Sequence, residues 1–459
     1  MEQREKLGSR LGFILLSAGC AIGVGNVWKF PYITGQYGGG IFVLIYLFFL
    51  IVMGVPMMTM EFAVGRASRK SAMLSFKVLE KPGQKWHLHG YLALAGNVLL
   101  MMFYTTVAGW MLHYFFLTAT GTFTGADATG VKEEFTNMLG QPDVMTFWMI
   151  VVVVACFAIC SFGVQKGVEK ITKVMMLALL VLIVVLAINS IFLKGGSDGL
   201  KFYLLPDVGK LQEHGIVTVV VAAMNQAFFT LSLGIGSMAI FGSYIGKDRS
   251  LAGESVRITV LDTFVALCSG FIIFPACSAF GVQADSGPDL IFITLPNIFN
   301  NMTGGRFWGS LFFIFMSFAA LSTVIAVFEN IISCFMDLTG WSRKKTVLIN
   351  IPLVIALSMP CILGFNVLSD FKPLGPKSNV QDLEDFIVSY LILPIGSLIY
   401  LLFCTSKLGW GWKNYTDEAN TGKGLKIPKW LRIYATYILP VVIILICILG
   451  IKDKLFPNQ

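Results

Sequence analysis

Apolar residues in this chain run together for 18 or more positions at a time, and such runs recur from near the first residue to near the last. Each is long enough to cross roughly 30 Å of hydrocarbon as an α-helix rising about 1.5 Å per residue. About eleven spans are predicted, at 11–34, 40–64, 90–119, 145–163, 168–194, 216–243, 258–282, 307–337, 346–366, 384–405 and 432–451. Helices are implied, because a lipid-exposed open sheet would leave backbone groups unpaired. The expected fold class is an all-α polytopic membrane protein. Its divisions are a cytoplasmic segment 1–10, a five-helix group 11–194, an extracellular connection 195–215, a second five-helix group 216–405, a cytoplasmic loop 406–431, and an eleventh helix with a short extracellular tail over 432–459.

Two spans carry their own interruption. The first contains Gly19-Cys20-Ala21-Ile22-Gly23-Val24-Gly25-Asn26, followed by Lys29 and Pro31, and the sixth contains Phe229-Thr230-Leu231-Ser232-Leu233-Gly234-Ile235-Gly236-Ser237. Either cluster alone could serve close helix packing. Breaks five spans apart point instead to two inverted repeats of five helices, discontinuous in helices 1 and 6, with a binding site at the bilayer midplane. Freed amides at such a break attract a carboxylate and freed carbonyls attract a cation. In the eighth span, Ala319, Ser322, Thr323, Ala326 and Val327 fall on one helical stripe. Its two hydroxyls can offer oxygens to a hard cation such as sodium, or equally bond back to carbonyls of the preceding turn.

Composition and charge narrow the class further. The chain has 459 residues, 56% apolar and only 13% charged, which is too few charges to cover a soluble surface. No polar stretch remains for a separate nucleic-acid-binding or catalytic domain. Most of the 34 Lys and Arg fall on one side if the N-terminus is cytoplasmic. The clearest blocks are Arg66, Arg69, Lys70, Lys77, Lys81 and Lys85, and Arg343, Lys344 and Lys345. An odd number of spans then puts the C-terminus outside a cell membrane. All nine Cys lie in apolar spans without metal or disulfide spacing, and His87 and His89 read as part of a solvated basic loop. No zincin, nucleophile-elbow or P-loop motif occurs, so neither an enzyme nor an organic cofactor is expected.

Gly19 to Pro31 (GCAIGVGNVWKFP), Gly38 to Gly40, Phe228 to Gly234 (FFTLSLG) and Ala320 to Thr323 together resemble the neurotransmitter:sodium symporter family. The likeness covers roughly residues 4 to 450. Within the family it is similar to the short bacterial members without a twelfth span, a tyrosine carrier among them. The resemblance implies two sodium sites. The first would use the Ala21 carbonyl, the Asn26 side chain, the Thr230 carbonyl and hydroxyl, Asp262 and the substrate carboxylate. The second would use the carbonyls of Gly19, Ile22 and Ala319 with the hydroxyls of Ser322 and Thr323. The amino acid would lie against Cys20, Ala21, Gly23, Val24 and Gly25, ringed by Leu100, Tyr104, Phe229, Thr230, Ser232, Ile235, Thr323 and Val327.

Departures from the family pattern carry information too. The outer gate, usually Arg with Asp, becomes Lys29 with Asp385, replacing a planar fork by a point charge. Arg4 and Asp337 remain at the inner gate, but a neighbouring Trp becomes Leu7. Cys20 replaces the Asp of monoamine carriers, which favours an amino acid over a monoamine. At the anion-site positions, Tyr46, Gln226 and Thr230 match the family. Asp262 stands in place of an Asn, and Ala266, where chloride-independent relatives often carry an acid, is neutral. The two positions share a helix face, so Asp262 is expected to supply the charge that chloride supplies elsewhere. The resemblance implies sodium-coupled import of a large neutral, aromatic amino acid by alternating access, independent of chloride. A same-fold transporter of another small substrate, or an amino-acid sensor without net transport, remains open. The expected partners are the small-molecule substrate and the lipid bilayer, with no nucleic acid and no signal for oligomeric state.

Overall fold

The computed structural model describes residue 5 and residues 7–281, 289–376 and 378–455, and these residues form helices joined by turns, with two isolated bridges and no strand among them. Among the described residues, nine continuous helices are apolar and long enough to span: Gly40–Ser68, Leu88–Thr120, Pro142–Ser161, Val164–Ile191, Leu251–Ala279, Gly305–Thr339, Arg343–Leu363, Val380–Thr405 and Leu431–Lys452. A tenth is the pair Arg10–Ala21 and Gly25–Gln36, bent by 55°. The eleventh is Ile216–Thr230 followed, after a turn, by Ser237–Tyr244. The eleven expected spans are therefore present, and the first and sixth are the discontinuous ones.

The spans bend at defined places. Six π-helical turns interrupt them or their connections, and in five the second residue beyond the turn is a proline: Pro31, Pro56, Pro296, Pro394 and Pro440. Proline brings no N–H and crowds the carbonyl four residues back, so a locally widened turn relieves the clash without ending the helix.

The break in the sixth span is held by close backbone approach. Gly234 has φ +99, and a Cβ there would come within 2.1 Å of the Leu393 carbonyl oxygen of the tenth span. Ser232, a non-glycine residue, is also held at φ 50. Glu61 of the second span, fully buried, accepts the backbone N–H groups of Gly234 and Met238 and so takes up donors that the break leaves unpaired. From the other side, Asn97 donates to the Ile235 carbonyl at 2.7 Å, and Asn330 donates to Asn97 at 3.0 Å. The third and eighth spans, which supply those two amides, pack against each other and frame the broken pair.

Short helices in the connections were not expected from the sequence: Ala72–Leu79, Ala128–Gly140, Ser197–Leu204, Val208–His214, Leu290–Asn300 and Trp412–Ala419. They are too short for a strong apolar period, and several are set by local caps. Asp127 and Asp207, for example, accept the N–H groups of Gly130 and Gly209 at 2.8 Å.

Candidate functional site

The two breaks meet between the third, eighth and tenth spans. The cavity there is lined by Cys20, Ala21, Gly23, Gly25, Leu100, Tyr104, Phe229, Ser232, Ile235, Thr323 and Leu393. Ten of these were expected. Its glycines are fixed by space: a Cβ at Gly23 would lie 2.2 Å from the Tyr104 hydroxyl, and one at Gly25 would lie 2.7 Å from the Phe229 ring. The free volume is about 20 Å³, room for one water, so the side chains are closed on each other.

Three expected residues are not part of this lining. Val24 meets the site through its backbone, donating its N–H to the Tyr104 hydroxyl at 2.8 Å. Thr230 turns its hydroxyl away from the cavity toward Asp262, and Val327 packs in the fully buried apolar core one turn beyond Thr323. Leu393 was missed. Pro394 and Gly396 marked its neighbourhood, because a Cβ at Gly396 would meet the Gly234 carbonyl oxygen at 2.1 Å, which brings the tenth span onto the break.

Next to the cavity, five oxygens gather. The Ser322 hydroxyl lies 3.1 Å from the Gly19 carbonyl and 3.0 Å from that of Ala319. The Thr323 hydroxyl lies 3.2, 3.3 and 3.4 Å from the carbonyls of Gly19, Ile22 and Ala319. Back-bonding within the eighth span accounts for the Ala319 contacts. It does not account for those to Gly19 and Ile22, which sit where the first helix ends and its last carbonyls lose their partners.

A second group surrounds Asp262, which is fully buried in the seventh span. The Asn26 amide nitrogen donates to its carboxylate at 2.8 Å and to the Thr230 hydroxyl at 2.9 Å, and that hydroxyl donates to the carboxylate at 3.1 Å. The Asn26 side-chain oxygen, expected on an ion, accepts the Gly23 N–H at 3.1 Å. A half-turn of the amide would exchange the two ends. Of the anion-site positions, Tyr46 faces Asp262 and Thr230, Gln226 donates to the Gly25 carbonyl at 3.1 Å, and Ala266 is buried one turn along from Asp262.

One ammonium covers the Phe229 side of the cavity. Lys29 Nζ lies 3.3 and 3.4 Å from the two Asp385 oxygens and 3.8 Å from the centre of the Phe229 ring. Ser389 donates to the same carboxylate at 2.7 Å. A point charge thus reaches both oxygens, and the aromatic face beneath supplies a cation–π contact. Of the pair expected at an inner gate, Arg4 lies outside the described residues. Asp337 accepts the Ser71 N–H at 2.8 Å and lies 3.6 Å from Lys70. Leu7, where the family pattern has a Trp, packs against the apolar core.

Acids near helix ends hold the segment around residues 8–10 and Arg343, and the sequence reading had not singled them out. Glu169 accepts from the Gly8 and Ser9 amides and from the Ser9 hydroxyl, at 2.7, 3.1 and 2.9 Å. Glu254 pairs with Arg10 at 2.8 Å. Glu329 holds Arg343 at 2.6 Å and the Tyr244 hydroxyl at 2.7 Å. An acid within or just beyond an apolar run was the available signal.

The sodium:neurotransmitter symporter family model matches residues 4–137 and 131–457. The chain is 34% identical over 400 residues, 87% of each chain, to an uncharacterized sodium-dependent transporter of Bacillus subtilis (strain 168). It is 27% identical over 503 residues to the sodium-dependent serotonin transporter of Drosophila melanogaster, covering 98% of this chain and 78% of that one. The crystal structure of MhsT in complex with L-phenylalanine is similar with a TM-score of 0.88 at 38% identity, covering 97% of this chain and 99% of the other. The broken first and sixth helices and this agreement along nearly the whole chain have one reading: the protein belongs to the sodium:neurotransmitter symporter family and is a sodium-dependent membrane transporter rather than an enzyme.

Proposed function

We propose that the chain imports a large neutral, aromatic amino acid together with sodium at two sites, independently of chloride, by alternating access. The observation that carries the reading is the convergence of five uncharged oxygens, from Gly19, Ile22, Ala319, Ser322 and Thr323, at the end of the broken first helix. All are hard donors, as sodium requires, and this is the second ion site of the proposal. The first is formed by Asp262, Thr230, the Ala21 carbonyl and Asn26 after its amide turns, and is completed by the substrate carboxylate. Thr323 belongs to both an ion site and the cavity lining, so ion and substrate binding share a side chain.

The carboxylate end of the substrate lies against the glycine backbone of the first break, where no Cβ intervenes. Its side chain lies among Leu100, Tyr104, Phe229, Ile235 and Leu393. The related MhsT structure, solved with L-phenylalanine, supports an aromatic occupant. Phe229 and Leu393 swing outward to admit it. The N-terminus is cytoplasmic and the C-terminus extracellular in a cell membrane, residues 11–194 and 216–405 being the two inverted halves. Lys29 with Asp385 closes the outer path, while Arg4 and Asp337 belong to the inner one.

Competition binding tests the substrate class. Burying a large apolar side chain stabilises by about 2–3 kcal/mol. Phenylalanine, tyrosine, tryptophan or leucine should therefore outcompete glycine by about 30- to 160-fold, and aspartate and lysine by more. Preference for glycine or a charged amino acid would reject this pocket.

A further inference from the structure

Among the described residues, the buried acids have identified partners with one exception. Glu61 holds backbone amides, Asp262 holds Asn26 and Thr230, Glu254 holds Arg10 and Arg257, and Glu329 holds Arg343 and Tyr244. Glu384, at the outer end of the tenth span, is 4% exposed, and neither carboxyl oxygen has a hydrogen-bond partner. It faces the thiol of Cys361 on the ninth span, which in turn faces Thr106 on the third. A thiol is a weak donor, and the Thr106 hydroxyl is itself unpartnered. On its own helical turns stand two further acids, Asp382 and Asp385. The nearby described cation, Lys29, is directed at Asp385. An ionised carboxylate so placed, in an apolar wall and beside like charges, is unfavourable; a protonated carboxyl carries no charge to desolvate.

Glu384 is also attached to a moving part. Its chain neighbour Asp385 is the acid of the outer gate. The helical stretch Val380–Phe386 that carries both is separated from the rest of the span by the π turn Ile387–Ile392 and Pro394. Parting Lys29 from Asp385 frees this jointed stretch to shift and lets water reach Glu384. We propose that Glu384 is a proton-binding site: it holds one proton while the outer gate is closed and releases it to the outside when the gate opens. Closure then converts a carboxylate and a proton from external water into a neutral carboxyl. This stands apart from the sodium sites and from Asp262, and it rests on the amino-acid reading only for the choice of phenylalanine to close the gate.

The test is a proton count on purified protein in weakly buffered solution with a pH-indicator dye. Saturating sodium is present throughout, so that Asp262 keeps one charge state. Adding phenylalanine to the wild-type protein should take up close to one proton per chain at alkaline pH. Apparent affinity for phenylalanine should fall as pH rises, by up to about tenfold per unit, because the closed state binds the proton. Glu384→Gln, which resembles the neutral carboxyl, should bind phenylalanine with no proton uptake and a flat pH profile. Glu384→Met is the second variant should the glutamine form fail to fold, and the same flat profile is expected. Phenylalanine binding to the wild-type protein with no proton uptake overturns the proposal, as does an unchanged proton count in either variant. Failure of phenylalanine to bind at all would instead reject the substrate reading, and repeating the count with the amino acid that does bind would then decide the role of Glu384.

Discussion

A Ser322→Ala, Thr323→Ala double variant will bind phenylalanine only at sodium concentrations about 100-fold above those the wild-type protein needs. The two hydroxyls are two of five oxygens at one proposed ion site, and both lie within 3.2 Å of the Gly19 carbonyl. Methyl groups in their place leave three carbonyls and an apolar wall. Contacts between a polar group and a charge contribute about 1.5–3 kcal/mol each, so losing two costs a factor of about 100 or more in ion affinity. Folding should change little, because the hydroxyls' other bonds return to carbonyls of their own helix. A sodium titration of phenylalanine binding reads the effect directly. Unchanged sodium dependence in a folded double variant would assign the hydroxyls to helix back-bonding alone.

Asp262→Asn is expected to reduce uptake about 100-fold or more when chloride is replaced by gluconate, and chloride should restore much of the loss. The acid is fully buried, and its carboxylate sits among the groups that would hold the first sodium ion. At 4 Å and an effective dielectric of about 20, one such charge contributes about 4 kcal/mol. The Asn variant removes it while keeping the shape, and Tyr46, Gln226 and Thr230 are the residues proposed to hold an anion nearby. Adding Ala266→Ser should strengthen the rescue by offering one more hydroxyl on the same helix face. Uptake by the wild-type protein that already requires chloride, or an Asn variant equally active in gluconate, would end the charge-replacement idea.

The spans were legible because hydrophobic length alone identifies them, and the breaks because two small-residue clusters recur five spans apart, a match that close helix packing does not require. The Ser322 and Thr323 stripe was visible as a pattern, but its sequence could not say whether the hydroxyls faced their own helix or the Gly19 and Ile22 carbonyls. That depends on where the first helix stops, which Tyr104 and Thr323 fix by leaving no space for a side chain at Gly23. Leu393 was hidden because a leucine in an apolar span looks like any other until the backbone of Gly234 is seen against it. Glu61 was legible in principle, as an acid inside an apolar run, yet its partners are amides released by a break four spans later in the fold. Thr230 and Val327 went the other way. Their positions follow the family pattern, but Asp262 draws the Thr230 hydroxyl, and core packing takes Val327.

The central claim is that sodium drives an aromatic amino acid through this site. Its most direct test is uptake of radiolabelled phenylalanine into proteoliposomes under an inward sodium gradient, with the same vesicles in equal sodium on both sides and in potassium as controls. Sodium-driven symport gives accumulation above the external concentration with the gradient, rapid loss of that accumulation when an ionophore collapses it, and only equilibration or background without it. Binding of phenylalanine with no accumulation under the gradient, or accumulation unaffected by replacing sodium with potassium, would contradict it.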